Sequence, residues 1–327
     1  MPPLVVDAVN GFRADLLRGE QAAMQEAARR WLGVEQALQA QIDATTLQLA
    51  ANGDFTVSQA MRSRRWLSLM EQTRDELRKY ENYIEPRIRD GQRDMITRAI
   101  RHSEQAIQAV ATEAQIVVPF NRLPVSAVES MVGLAGDGSP LRAVLDDAAG
   151  AGADALGQQL VNGVALGLNP REVARRAMRL GLGQSFTRMQ LISRTEQLRV
   201  YRLTTLQSYT NSRVVVAYKR LSARDRRTCI ACLFADGEEY PMEHGFDEHP
   251  AGRCTLIPLL ANVPRVQYQT GQEWFVQQPE AVQREMLGAV RFGLWQRGEA
   301  SLTDMVSRDW SDTWGGSLRV TRVRDLV

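Results

Sequence analysis

Apolar positions recur along the first third of the chain at helical spacing. Trp66, Met70, Thr73, Leu77, Tyr80 and Ile84 alternate steps of four and three. That is a heptad-like seam, which packs helices at a small crossing angle. Met24, Ala28, Trp31, Leu38, Ile42, Thr45 and Leu49 give a looser version of it upstream. Asn52-Gly53 separates the two runs, because glycine after a helix accepts the left-handed conformation. Pro86 begins a third run carrying Ile88, Met95, Ala99, Ile107, Val110 and Ala114. Residues about 20 to 117 therefore read as long helices, either a bundle burying its own seam or an arm that docks on a partner.

Val117-Val118-Pro119-Phe120 ends this region, and Gly133, Gly136, Gly138 and Pro140 form a breaker-rich loop. The pattern divides the chain into a helical domain or arm (1–120), a linker (121–140) and a C-terminal domain (141–327). Helix returns at about 141 to 167. Asn169-Pro170 starts another, with Asn as cap and Pro at the first helical position, and Leu182-Gly183 is its expected end. A longer helix follows at about 185 to 209. The β-branched run Arg213–Arg220 then reads as a strand, and Cys254-Thr-Leu-Ile-Pro258 as another. The last 60 residues read as short helices and turns. The expected fold is mostly α with a small β component, the C-terminal domain being α+β.

Composition adds little constraint. The 327 residues hold 40 basic and 38 acidic side chains, a net +2, too balanced to argue for a nucleic-acid or membrane binder. The bases are almost all arginine, Lys79 and Lys219 being the lysines. No basic start followed by an apolar stretch suggests a signal peptide, and no run approaches the ~18 apolar residues of a membrane span. The expected setting is a reducing cytosol, or a particle assembled there.

The chemistry concentrates in one stretch. All three cysteines and two of the three histidines fall between residues 229 and 254, spaced Cys229-x2-Cys232-x16-His249-x4-Cys254. A Cys-x2-Cys turn curls two thiolates around one cation, and a second pair from a neighbouring loop completes a tetrahedron. Sulfur with imidazole favours zinc over magnesium or calcium. Four protein ligands leave no open position, which points to a structural metal rather than a catalytic one. A reversible Cys229–Cys232 disulfide and three unrelated buried cysteines remain alternatives. His244 is a spare that replaces His249 or orients a ligand.

Around the cysteines the residues resemble a known family. Asp225-Arg-Arg-Thr228-Cys229-Ile-Ala-Cys232, then Asp236-Gly237, then His249-Pro250 and Arg253-Cys254 are similar to the knuckle of phage head morphogenesis proteins, the minor capsid proteins like protein F of phage Mu. Asn169–Ala174, Ser193-Arg194-Thr195-Glu196 and the segment from Glu273-Trp274 through Gln278-Pro279-Glu280 to Trp295 also resemble that family. The likeness covers about 165 to 306. One departure is Gly252, where many relatives carry a further cysteine, which leaves the site without redundancy. The resemblance implies a minor structural protein of the phage head beside the portal, acting in head assembly, DNA packaging or ejection. Its implied partners are the portal or major capsid protein and, with them, packaged DNA. The N-terminal helices are the candidate docking element, with the knuckle expected to fold without them.

Enzyme motifs are missing. The chain has no His-Glu-x-x-His, no Gly-Lys-Ser/Thr and no Glu-x-Glu. His102 sits among polar residues of a presumed helix and is expected to be exposed. Arg194 and Glu196 are expected to hold helix to sheet. The alternative function is a zinc-stabilised DNA-binding or nuclease-type accessory protein. For that reading Arg171, Arg175, Arg176, Arg179, Arg188, Arg194, Arg199 and Arg202, with Arg224, Arg226 and Arg227, would supply a phosphate-contacting face, unless acids balance them.

Overall fold

The computed structural model describes residues 3–51, 57–131, 141–225, 228–311 and 314–326. Asn52-Gly53, the 133–140 breakers, Arg226 and Arg227 lie outside the described residues. The fold is mostly helical with a small antiparallel β component. Contacts divide it into two compact units that are discontinuous in sequence. The first comprises Met1–Leu17, Gln92–Gly138 and Gln197–Val327; the second comprises Arg18–Gly91 and Ser139–Glu196.

The second unit is helical. It takes most of α1 (Leu4–Ala51), α2 (Val57–Arg62), the first half of α3 (Arg64–Glu113), α5 (Leu141–Ala165), α6 (Pro170–Arg176), a π-helical turn at Ala177–Leu182 and the start of α7 (Gly183–Ser212). Every seam residue from Trp66 to Ile84 is buried, and each large apolar side chain there contributes about 1.5–3 kcal/mol. Trp31 meets Tyr80 edge-on and Phe186 face-on, with centroids 4.9 and 5.0 Å apart. The Tyr80 hydroxyl donates to the Ala27 carbonyl at 3.2 Å.

Two helix boundaries differ from expectation. Pro86 does not start a helix but lies inside α3. Its missing N–H costs one backbone bond, and Ile84 and Ile88, buried on either side, carry the stripe across the gap. Gly183 does not end a helix either. It keeps helical angles (φ −62°, ψ −30°), and the chain passes through the π turn directly into α7. The Asn169 cap forms as expected, its side chain accepting from the Arg171 N–H at 2.9 Å.

The first unit carries the sheet. β1 (Val215–Leu221) is central, between β2 (Glu239–Pro241) and β3 (Thr255–Leu260), all antiparallel. The register sets Lys219 opposite Ile257 and Leu221 opposite Thr255, so the two expected strands are neighbours. Val5, Val6, Val9, Ile107, Val110 and Ala111 share one buried core with Tyr218, Leu256, Ile257 and Leu260. The start of α1 and the end of α3 therefore share the core of the sheet beside the knuckle. Part of the expected linker is ordered as α4 (Val125–Met131), whose Val128 is buried with Ile96, Ile100 and Val200.

The C-terminal region combines α8 (Ile230–Phe234), α9 (Gly271–Val276), α10 (Glu280–Gln296) and a hairpin, β4 (Val306–Ser311) with β5 (Gly315–Val320). The expected short helices form as α9, α10 and a 3-10 turn at Thr303–Met305, and the hairpin, not expected from the sequence, follows them. Its sequence carries few β-branched residues and its Trp310 is exposed, which leaves no alternating apolar pattern. α10 kinks at Gly288 (φ 74°, ψ 158°), a left-handed angle that glycine accepts without strain. Among the described residues no helix is long and apolar enough to cross a membrane.

Candidate metal centre

Cys229 is the N-cap of α8, and its sulfur accepts from the Cys232 N–H at 3.3 Å. That bond makes the Cys-x2-Cys curl: the helix starts at the first cysteine and turns the second back beside it. Cys254 immediately precedes β3, and His249 lies on the loop leading to it.

The donor atoms gather in two overlapping triads that share Cys232. Cys229, Cys232 and His249 form one; Cys232, Glu248 and Cys254 form the other, with donors in each within 4.8 Å of one another. All four sequence-predicted residues are in the cluster, and the three cysteines are free thiols. His244 is not in it; its ring lies tilted against Tyr240, with centroids 4.8 Å apart. Cys229, Cys232, His249 and Cys254 together line a small cavity of about 30 Å³, enough for a single small occupant.

The histidine is oriented for donation. Its Nδ1 lies 2.9 Å from the Pro250 carbonyl. A carbonyl only accepts, so Nδ1 donates to it and Nε2 is the nitrogen placed to take a metal. Hydrogen bonding with Cys232 holds the Cys229 thiol below its usual range. Thiol–thiol hydrogen bonds, with burial, push Cys232 and Cys254 up.

Buried cations surround the thiols. Arg220 is almost wholly buried, and its guanidinium reaches Glu248 Oε2 at 2.9 Å and Cys232 Sγ at 3.5 Å. Arg202, from α7, donates to the Gly252 carbonyl at 3.0 Å, and Arg220 to that of Asp247 at 2.7 Å. Arg13 reaches Thr255 at 3.4 Å. Burial pushes the Glu248 carboxyl up, but Arg220 and Arg202 outweigh it and hold it below the usual range. Among these cations Arg220 acts against the rise of Cys232 and Cys254, without reversing it.

The flanking motif residues brace the loops. Asp225 takes both terminal nitrogens of Arg253, at 2.6 and 2.7 Å. Its own N–H donates to the Thr228 hydroxyl at 3.0 Å. Buried Asp236 accepts from the Ser222 N–H at 3.1 Å and from Arg224 at 2.6 Å. Gly237 turns at φ +93° and donates to the Arg220 carbonyl at 2.9 Å.

Sequence reading missed Glu248 and the buried arginines. The signal present was a carboxylate directly beside His249, in Asp247-Glu248-His249. It also took His102 as exposed, whereas His102 is buried, stacked on Phe12 at 4.0 Å with Nδ1 3.0 Å from the Tyr201 hydroxyl. Arg194 pairs with Glu20, and Glu196 is fully buried.

The arginines proposed as a phosphate face are largely committed elsewhere. Arg175 and Arg176 pair with Glu172, Arg188 with Asp147, Arg224 with Asp236, and Arg202 is buried. Comparison with known protein families, with curated proteins and with solved structures gives no match for this chain.

Proposed function

We propose that this chain is a minor structural protein of a tailed-phage head, assembled in the host cytoplasm and seated near the portal. In this reading a closed zinc site sets the C-terminal region. One observation supports it above others. Asp225, Thr228, Cys229, Cys232, Asp236, His249, Arg253 and Cys254, the residues that resemble the head-morphogenesis knuckle, converge on one braced cluster. A chance scatter of motif fragments gives no reason for that convergence.

The donor set fits a zinc ion. It offers three thiols, an imidazole with Nε2 placed to take a metal and a cavity for one small occupant. Cys229, Cys232, His249 and Cys254 would hold it, leaving no position for a reactive water. The role is cross-linking: the ion would tie α8 to the loop before β3. No activity is assigned. The partners proposed are the portal or major capsid protein, with packaged DNA beside them.

The test is direct. In the phage or induced prophage that encodes this chain, mass spectrometry of purified heads should find it at a few copies, and disrupting its gene should lower the yield of DNA-filled heads. Its absence from purified heads sinks the proposal. Metal analysis of the purified protein should find about one equivalent of zinc. Less than about half an equivalent, unchanged in Cys229→Ser, removes the metal.

A further inference from the structure

We infer that Glu248 is a fifth donor of this centre, a reserve oxygen ligand able to take the place of the His249 imidazole. The inference rests on the zinc reading proposed above.

Three observations carry it. First, the carboxylate lies where a ligand lies. Two donors on one tetrahedral zinc are roughly 3.3–3.8 Å apart, given Zn–S near 2.3 Å and Zn–N or Zn–O near 2.0 Å. Glu248 Oε1 is 3.3 Å from Cys232 Sγ and 3.5 Å from His249 Nε2. Oxygen and imidazole are thus neighbours on the same side of the Cys232 sulfur.

Second, the carboxylate is held in that pose. Arg220 takes Oε2 at 2.9 Å, which leaves Oε1 turned toward the cysteines, with the His249 N–H donating to it at 3.2 Å. The Glu248 side chain is 2% exposed and that of His249 30% exposed. The reserve donor therefore lies deeper than the ligand it backs, and solvent competes with it less.

Third, the backbone makes room for it. A Cβ on residue 252 would fall 2.2 Å from both Cδ and Oε1 of Glu248. Only glycine there lets the carboxylate reach the cluster. The site therefore has a spare donor, contrary to the lack of redundancy expected from sequence. The spare is Glu248 and not His244.

The experiment compares zinc content and Co²⁺ spectra of the full chain with those of His249→Ala, His249→Ala/Glu248→Gln and His249→Ala/Gly252→Ala. The wild type should hold about one equivalent. His249→Ala should still hold nearly one, with affinity down about tenfold and the Co²⁺ d–d bands shifted. Both double variants should fall below about a fifth of an equivalent. The Gly252→Ala arm keeps the Glu248–Arg220 pair in the sequence, so a folding failure of the Gln variant alone does not mask the result. If His249→Ala loses zinc as completely as the double variants, or the double variants retain it, the reserve role is overturned. A wild type that binds neither Zn²⁺ nor Co²⁺ instead overturns the zinc reading itself.

Discussion

Arg253 grips Asp225 with both ends of its guanidinium, joining the loop that precedes Cys229 to the residue that precedes Cys254. The two halves of the cysteine cluster come from separate loops, and this fork spans them from outside the donor shell. Planar two-point pairs are among the stronger ionic contacts because both hydrogen bonds share one geometry. Asp225→Ala should therefore weaken zinc binding about 10- to 100-fold, as loss of an outer support typically does. Competition with a chromogenic chelator measures it. Arg253→Lys should fall with it, since an ammonium cannot make the fork. An unchanged affinity in both would show that the loops hold themselves.

If the cluster holds zinc as proposed, removing the ion should act locally. β1 and β3 stay paired through their ladder, and α8, five residues long and capped by Cys229, keeps its apolar contacts but loses the tie to the loop before β3. Chelation, or Cys254→Ser, should raise amide exchange at 229–236 and 247–254 by at least about tenfold. The Trp66–Ile84 stripe of the second unit should keep its protection. Exchange read by mass spectrometry separates the two segments. Uniform loss of protection along the chain would mean the ion supports far more than the knuckle.

What the sequence made legible follows from period and spacing. Trp66 to Ile84 announced a buried stripe because a helix repeats its face every three or four residues, and all six positions are buried. The cysteines announced a cluster because Cys-x2-Cys has one local solution. Glu248 stayed hidden because its role depends on Gly252 leaving a gap and on Arg220 closing over it from β1, 28 residues away in sequence. Pro86 misled because local propensity ends a helix that the buried flanks of Ile84 and Ile88 continue. The β4–β5 hairpin lacked an alternating face to read.

Glycines that look alike in sequence should behave oppositely. Gly33 lies on α1 with open space where a Cβ would go. Gly33→Ala should stabilise by about 0.5–1 kcal/mol, because it removes backbone freedom from the unfolded chain. Gly181 lies in the π turn, and a Cβ there would fall 2.7 Å from the Leu156 Cα and 2.9 Å from its nitrogen. Backbone cannot step aside as a side chain can, so Gly181→Ala should cost about 1–3 kcal/mol. Urea unfolding followed by helical circular dichroism ranks the two. The same sign for both would contradict the close approach of α5 to the π turn.

Stability should also fall as the solution turns mildly acid, and His102 sets the window. Burial, with help from nearby Arg101 and Arg98 and against Asp15, lowers its pKa from the ordinary 6.5 to about 4. The ring has no room for a second proton's hydration: one face stacks on Phe12, and Nδ1 meets the Tyr201 hydroxyl. Between pH 6.5 and 4 the unfolded chain therefore holds a proton on this residue that the folded chain does not. Stability must rise with pH there and be lost as pH falls through it, by up to roughly 1.4 kcal/mol per pH unit. Above 6.5 both states are neutral and the dependence ends. His102→Gln keeps a polar atom near Tyr201 without the titration, so its stability curve should be flatter across the window. Urea midpoints at pH 4.5, 5.5, 6.5 and 7.5 for the two proteins give the comparison. Parallel curves would assign the acid sensitivity to other groups and leave His102 a neutral packing element.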